Sequence, residues 1–270
     1  MKLIKLVIAF ATLAICSACV SFPNTAAFDL PENAKVGYDI TLTEEIGHTH
    51  YGTTVFNNIN KANPDMQWGL TEFAKNEAVR LLKRYSFEPV EIGEVISIED
   101  KKKMEELDGV KLTEENRAIF EAIEKNNLDT LKSDYGVSAV ISMKSFPGVV
   151  AMECSNYGCT EFRAEYPGFY SRGLVFLPPF LHAVLPSITS AQVLEPNTAI
   201  HTYSGAYAIA QPQLLHIKGF KPSNFKSMSA DEWAQVKEKL YELITRNLEN
   251  YIKALKAGAD GNGGYVREVN

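Results

Sequence analysis

The sequence predicts an α+β fold in which a mixed, mainly antiparallel sheet is covered by amphipathic helices, with a long helix at the C-terminal end. Apolar residues recur at helical spacing from Gly69 to Tyr85 and again from Ser229 to Gly258. Between these helices, short β-rich segments dominate residues 136–211. Strands that follow a helix-rich half, without regular alternation of strand and helix, are typical of α+β proteins.

The first half of the chain begins with a predicted strand and helix. Alternating apolar residues from Val36 to Leu42 predict a strand. Gly47 and Gly52 indicate a turn, and a second strand is expected at 53–56. The amphipathic helix at 69–85 carries acidic residues near its start and basic residues near its end, the order that the helix dipole favours.

The middle of the chain changes from helix to strand. The charged segment 99–108 is expected to be a solvated loop or a helix end, and a helix starts near Thr113. Gly136 and the β-branched run after it predict a strand entering the sheet. The segment Gly168–Gly173 is interpreted as a turn. Further strands are expected at 149–153, 160–165, 174–177, 188–194 and 200–210.

The final helix has the clearest boundaries. Ser229 can cap it and Glu232, three residues later, can complete a capping box. Apolar residues then line one face until Gly258, so the helix is expected to pack across the sheet. Residues 259–270 are expected to form a flexible tail.

The first residues indicate export from the cytoplasm. Lys2 and Lys5 precede an apolar run at Leu6–Ile15, and Ser17-Ala18-Cys19 follows. A membrane-spanning helix needs about 20 apolar residues, so this run predicts a cleaved signal peptide instead.

The C-terminal end of this signal peptide resembles a bacterial lipobox, in which one aliphatic residue and two small residues precede a cysteine that receives lipid. Ser17 and Ala18 fit that pattern, whereas Cys16 stands where Leu is usual. The resemblance implies that Cys19 carries fatty acyl chains such as palmitate, and Val20 implies sorting to the outer membrane. An ordinary secretory signal, which would leave Cys19 as a free thiol, is the alternative.

These features define the expected domain organisation. Residues 1–18 form the signal peptide, 19–35 the lipidated cysteine and a tether, 36–258 a single periplasmic domain and 259–270 the tail. The 27 basic and 33 acidic residues give a net charge of −6, which disfavours nucleic acid as a partner.

Two cysteines of the mature chain bracket a turn-like loop. Cys154 and Cys159 enclose Asn156 and Gly158, which favour tight turns. In an exported chain this spacing predicts a disulfide across a hairpin. A redox or metal-binding pair is the alternative, although the cysteines of such pairs are usually separated by two residues, and Cys154 and Cys159 are separated by four.

Two further segments could carry function. His48 and His50 would share one strand face and are weak candidates for metal ligands, although surface histidines beside a turn are the preferred interpretation.

The apolar segment 174–185 is interrupted by Pro178-Pro179. It is expected to be a buried strand and core-filling loop, or a contact with a partner or membrane through Phe176, Phe180 and Leu181.

Beyond these candidates, the sequence contains no Gly-rich phosphate loop, nucleophile elbow or zinc-helix motif. We therefore expect no catalytic residues and no cofactor. The signal, the order of elements and the strand entry at Asp134–Ser142 resemble small α/β envelope lipoproteins of the curli-secretion family and of transport-auxiliary systems. That resemblance implies a binding or assembly component with envelope proteins as partners. A carrier of lipid or other apolar ligands and a periplasmic hydrolase are the alternatives.

Overall fold

The computed structural model describes residues 26–51, 59–63, 66–93, 95, 97–107, 113–155, 158–172, 180–200, 213–215 and 228–259. These residues form twelve strands and four helices. The strands are β1 (Lys35–Thr41), β2 (Ile46–Tyr51), β3 (Ile59–Asn63), β4 (Glu88–Glu91), β5 (Ala139–Ser145), β6 (Gly148–Ser155), β7 (Gly158–Ala164), β8 (Gly168–Arg172), β9 (Phe180–Val184), β10 (Ser187–Val193), β11 (Thr198–Ile200) and β12 (Gln213–Leu215). The helices are α1 (Leu70–Arg84), α2 (Ile98–Leu107), α3 (Glu114–Ser133) and α4 (Ala230–Ala257).

The strands form two five-stranded sheets and a hairpin. The first sheet has the order β11-β10-β5-β1-β4, and β1 is parallel to both of its neighbours. The second has the order β12-β9-β8-β2-β3, in which only β2 and β8 pair in parallel. Strands β6 and β7 pair as an antiparallel hairpin. This arrangement confirms the predicted α+β class with mixed strand pairing, although the strands form two five-stranded sheets where one was predicted.

Helix α4 closes the core and contacts strands of both sheets. Its capping box is present, since Ser229 Oγ accepts a hydrogen bond from the Glu232 amide and the Glu232 carboxylate accepts one from the Ser229 amide. The face toward the sheets buries leucines and isoleucines completely, and α1 packs beside it. The prediction for this helix is therefore confirmed at both ends.

Helix α1 receives its N-terminal cap from another part of the chain. Gly69, at the N-cap position, has no side chain to offer, and the Glu44 carboxylate instead accepts hydrogen bonds from the amides of Leu70 and Thr71 at 3.1 and 3.0 Å. A carboxylate at this position also interacts favourably with the helix dipole. Glu44 thus joins the β1–β2 connection to the helix.

Both ends of the described domain meet at one place. Phe28 and Ala259 exchange two backbone hydrogen bonds of 3.0 Å, and the Phe28 side chain is buried in the main core. Ala34 is buried in the same core. Of the segment expected to be a tether, the part from Phe28 onward therefore packs against the domain.

Several local predictions were wrong. The expected turn at Gly47 is part of β2, the expected turn at Gly168–Gly173 includes β8, and the charged segment that follows Ile98 forms α2. At the two glycine segments, strand pairing overrides a local turn signal. Helix α2 is instead stabilised by local contacts, since Ser97 Oγ accepts a hydrogen bond from the Asp100 amide and Lys103 pairs with Glu99 one turn earlier. The predicted strands at 53–56 and 174–177, the predicted strand at 200–210 beyond Ile200, the signal peptide and most of the tail lie outside the described residues.

Candidate functional site

The two histidines singled out from the sequence lie in the interior. His48 and His50 are 5% and 6% exposed and lie on the same face of β2. The interpretation as surface histidines is therefore wrong. Strand β2 lies between β3 and β8, and α4 contacts the neighbouring strands β8 and β9 of this sheet.

His50 forms a buried hydrogen bond with a serine that lies 121 residues later. The parallel pairing of β2 with β8 places His50 beside Ser171, and the distance from His50 Nδ1 to Ser171 Oγ is 2.8 Å. Burial lowers the pKa of His50 below its ordinary value, and a hydrogen bond with the backbone of Ser171 partly opposes this shift. The imidazole is therefore neutral at pH 7.

His48 occupies the next inward position and belongs to a row of aromatic rings. Its ring stacks on Phe169 with 5.2 Å between centroids, and Phe169 meets Trp233 of α4 edge to face at 5.4 Å. Trp233 in turn lies 6.0 Å from Trp68. These contacts join the second sheet to the start of α4.

A serine hydrogen-bonded to a neutral imidazole is one component of a nucleophilic site, because the imidazole can accept the hydroxyl proton. In this structure Ser171 is only 1% exposed, so an acyl substrate in solvent has no direct approach to its oxygen. The geometry therefore fits a polar contact that fixes the register of β2 against β8 better than an open catalytic centre.

The opposite face of the second sheet is also covered. Tyr170 packs with Val150, Ala164 and Val184 beneath the β6–β7 hairpin. Burial raises the pKa of Tyr170 to about 12, and its hydroxyl donates to the Tyr166 carbonyl at 3.1 Å. His182 lies opposite Tyr170 in the β8–β9 pair, so it occupies the other side of the sheet from His48 and His50.

In the part of the chain that the structure describes, no third side chain is placed to bind a metal ion together with His48 and His50. There, no group of three or more His, Cys, Asp or Glu side chains is placed to hold a metal ion. His201 and His216 lie outside the described residues.

The candidate disulfide lies on the β6–β7 hairpin. Strand β6 includes Cys154 and strand β7 includes Cys159, and the pairing runs from Gly148–Ala164 to Ser155–Gly158 with an irregularity after Met152. The two residues are thus on paired strands near the closed end of a hairpin. The positions of their sulfur atoms are outside the described structure, and the disulfide stays a prediction.

The apolar segment 174–185 is only partly described. Strand β9 begins at Phe180, after the proline pair, and Leu181 is 3% exposed within the main core. Leu181 is therefore a core residue, which corrects its assignment as a possible contact. Phe176 lies outside the described residues, as does the side chain of Phe180.

Two apolar side chains are exposed to solvent at another place, near the start of β6. Phe146, in the connection between β5 and β6, is 49% exposed, and Val149, the second residue of β6, is 55% exposed. Sequence reasoning missed this pair because Phe146-Pro147-Gly148 resembles an ordinary loop, and only the fold shows that its apolar side chains remain in solvent.

A groove on the outer side of α1 and α4 is the other surface feature. It has a volume of about 530 Å³ and extends along α4 from Ala234 to Glu249. Its floor includes Phe73 and Tyr241, whose rings stack 3.7 Å apart and nearly parallel. The Tyr241 hydroxyl donates to the Trp68 carbonyl at 2.8 Å, which fixes the ring in place.

No protein-family model matches this chain, and no curated protein sequence is significantly similar to it. Within the described ranges, no helix is long and apolar enough to cross a bilayer.

Proposed function

We propose that the protein is an outer-membrane lipoprotein, anchored through Cys19, whose periplasmic domain acts by binding other envelope components rather than by catalysis. The observation that carries the proposal is the signal at Met1–Cys19, with its short basic start, apolar run and small residues before the cysteine. Several acyl chains together hold a protein stably on a bilayer, whereas one chain does so only marginally.

The position of Phe28 is consistent with action close to the membrane. It is the first core residue that the structure describes, and it follows Cys19 by nine positions. Even fully extended, nine residues span at most about 30 Å. The domain would therefore stay within about 30 Å of the lipid surface, where other envelope proteins are within reach.

The described interior favours binding over the two alternatives. A carrier needs an apolar cavity behind the closing helix, whereas the inward residues of α4 are buried against the sheets. A hydrolase needs an accessible nucleophile, and Ser171 is enclosed. The exposed pair Phe146 and Val149 provides an apolar surface suited to contact with a protein partner.

Membrane fractionation of cells that produce the full chain tests the anchor. Cys19→Ser should move the protein from the membrane to the soluble periplasmic fraction, since it removes the acylated sulfur. Cys16→Leu is the matched control, because it changes the neighbouring cysteine to the residue usual in a lipobox and should leave the protein on the membrane. If Cys19→Ser remains on the membrane as fully as the control, the anchor is not at Cys19.

Photo-crosslinking in intact cells tests the binding role. A crosslinking amino acid at Phe146 should capture a distinct envelope protein, and one at the exposed position Glu121 on α3 should not. Equal capture from both positions, or none from either, would contradict a role for this surface.

The hydrolase alternative has its own test, because the hydrogen bond between His50 and Ser171 is the observation that favours it. Labelling by a serine-directed fluorophosphonate that Ser171→Ala abolishes would replace the binding proposal. The binding proposal predicts no labelling at Ser171.

A further inference from the structure

The exposed side of α4 has an ordered charge pattern. Its first half presents Asp231, Glu238 and Glu242 to solvent, and its second half presents Arg246 and Lys253. Glu238 and Arg246 lie four residues on either side of Glu242, or about 6 Å along the helix axis. Asp231 and Lys253 lie eleven residues on either side, or about 17 Å.

This pattern is self-complementary under a two-fold rotation about Glu242. If a second copy of α4 lies antiparallel to the first, each Arg246 falls beside Glu238 of the other copy. Each Lys253, which also pairs with Glu249 of its own chain at 3.5 Å, falls beside Asp231 of the other copy. A two-fold interface makes every such contact twice. At the centre, the two copies of Glu242 approach each other, but each is paired with Lys239 of its own chain at 2.7 Å.

Charge order alone also suits a solvated helix, since the helix dipole favours acidic residues first and basic residues last. The groove beside α4 is the second observation: its lining contains Glu238, Glu242 and Arg246 and, in addition, the stacked rings of Phe73 and Tyr241. It extends from Ala234 to Glu249 and is therefore centred at Tyr241 and Glu242, the same point as the charge pattern. The dipole does not require an apolar groove at that point.

We infer that the protein forms a symmetric dimer in which the α4 helices of two copies pack antiparallel, centred on Glu242. The groove with Phe73 and Tyr241 provides the apolar part of the contact, and the charges at its two ends set the antiparallel direction. The occupant of the groove is thus a second copy of this chain.

The expected dimer is weak in solution. A helix of 28 residues is about 42 Å long and about 10 Å wide, so its footprint is roughly 400 Å². A stable interface usually buries about 800 Å² on each partner, so the outer face of α1 must contribute as well. If the chain is anchored as proposed, confinement to a membrane raises the effective concentration and favours pairing.

Anchoring of both copies in one bilayer also constrains the orientation. The two-fold axis is perpendicular to α4, and the Phe28–Ala259 contact directly follows the C-terminal end of this helix. The two membrane connections therefore leave from opposite ends of the helix pair. With α4 parallel to the bilayer, connections of up to about 30 Å reach the same surface.

Cysteine crosslinking of the full chain in membranes tests the register. Glu242→Cys, on the axis, should form a disulfide-linked dimer under mild oxidation. Ala234→Cys alone should not form such a dimer, because residue 234 of one copy lies about 24 Å along the helix axis from residue 234 of the other copy. Ala234→Cys combined with Asn250→Cys should crosslink, since these positions are equally distant from Glu242. The unmodified chain measures any background from the native cysteines.

Efficient crosslinking of Ala234→Cys alone would indicate parallel pairing and overturn the inference. Absence of crosslinks from all three variants would overturn it as well. Circular dichroism of each variant shows whether the fold is retained, which is expected because all three positions are exposed.

Charge reversal gives a second test, by sedimentation of the full chain in detergent. Glu238→Arg or Arg246→Glu alone should weaken dimerisation about tenfold, because each reversal changes two symmetric contacts. The double variant should restore the original affinity, since it exchanges the two charges. Glu121→Arg, on α3, is the matched control and should have no effect. Additive weakening in the double variant would refute the pairing of these residues.

Discussion

Gly168 lies where β8 approaches β2 most closely, and its replacement by alanine should destabilise the fold strongly. Its φ angle is 153°, and a Cβ atom at this position would overlap the carbonyl oxygen of Gly47 and lie 2.8 Å from the Gly47 carbonyl carbon. The Gly47 amide also donates to the Pro167 carbonyl at 2.8 Å. Because the obstruction is backbone, no side-chain rotation can relieve it.

Two effects lower the free energy of unfolding of the Gly168→Ala variant. A non-glycine residue in this φ region costs about 1–3 kcal/mol, and forcing β2 away from β8 costs a further 1–3 kcal/mol, as overpacking does in other cores. A loss of about 3 kcal/mol or more in the free energy of unfolding lowers the melting temperature of a domain of this size by roughly 10 °C. The same shift would weaken the contact between His50 and Ser171.

Thermal unfolding of the purified full chain, followed by circular dichroism, measures this effect. Gly136→Ala is the matched control, since Gly136 has a φ angle of 64° and a Cβ there would meet nothing within 4 Å. The control variant is destabilised only by the conformational cost of an alanine in the left-handed region, about 1 kcal/mol. If the two variants melt at the same temperature, the close approach of β2 to β8 is refuted.

Three further predictions concern the cap, the buried histidine and the thiols. Glu44→Ala should lower the free energy of unfolding by about 1 kcal/mol, because it removes the cap of α1, whereas the exposed neighbour Glu45→Ala should change it little in the same melting assay. Since burial lowers the pKa of His50, the unfolded chain takes up its proton first, and stability should fall below about pH 6.5 by at most about 1.4 kcal/mol per pH unit. Urea titrations at pH 7 and pH 5 should show a smaller loss for His50→Asn, and an unchanged loss would contradict this account. Alkylation and mass spectrometry without reductant should leave Cys154 and Cys159 unmodified, and labelling of both thiols would refute the disulfide.

Local signals predicted the helices that have complete boundaries in the sequence. Ser229, Glu232 and Gly258 mark both ends of α4, and the structure places all three in those roles. The periodicity from Gly69 to Tyr85 likewise predicted α1. Its cap could not be predicted, because Glu44 lies 26 residues before Leu70 and only the packed β1–β2 connection brings it there.

The candidate site depended on pairing that local sequence does not specify. His48 and His50 are followed by Gly52, which resembles a turn, and Ser171 lies between two glycines. Each segment becomes a strand because the other pairs with it in parallel, across more than 100 residues of intervening chain. Parallel pairing has no hairpin turn to indicate it, so neither the burial of the histidines nor the contact of His50 with Ser171 could be read from spacing alone.

Mass spectrometry of the N-terminal peptide of the protein purified from its native membrane tests the lipid anchor itself. We expect a chain that begins at Cys19 and carries fatty acyl groups on that residue. An intact start at Met1, or an unmodified Cys19 sulfur, would contradict the anchor and the proposed role at the membrane surface.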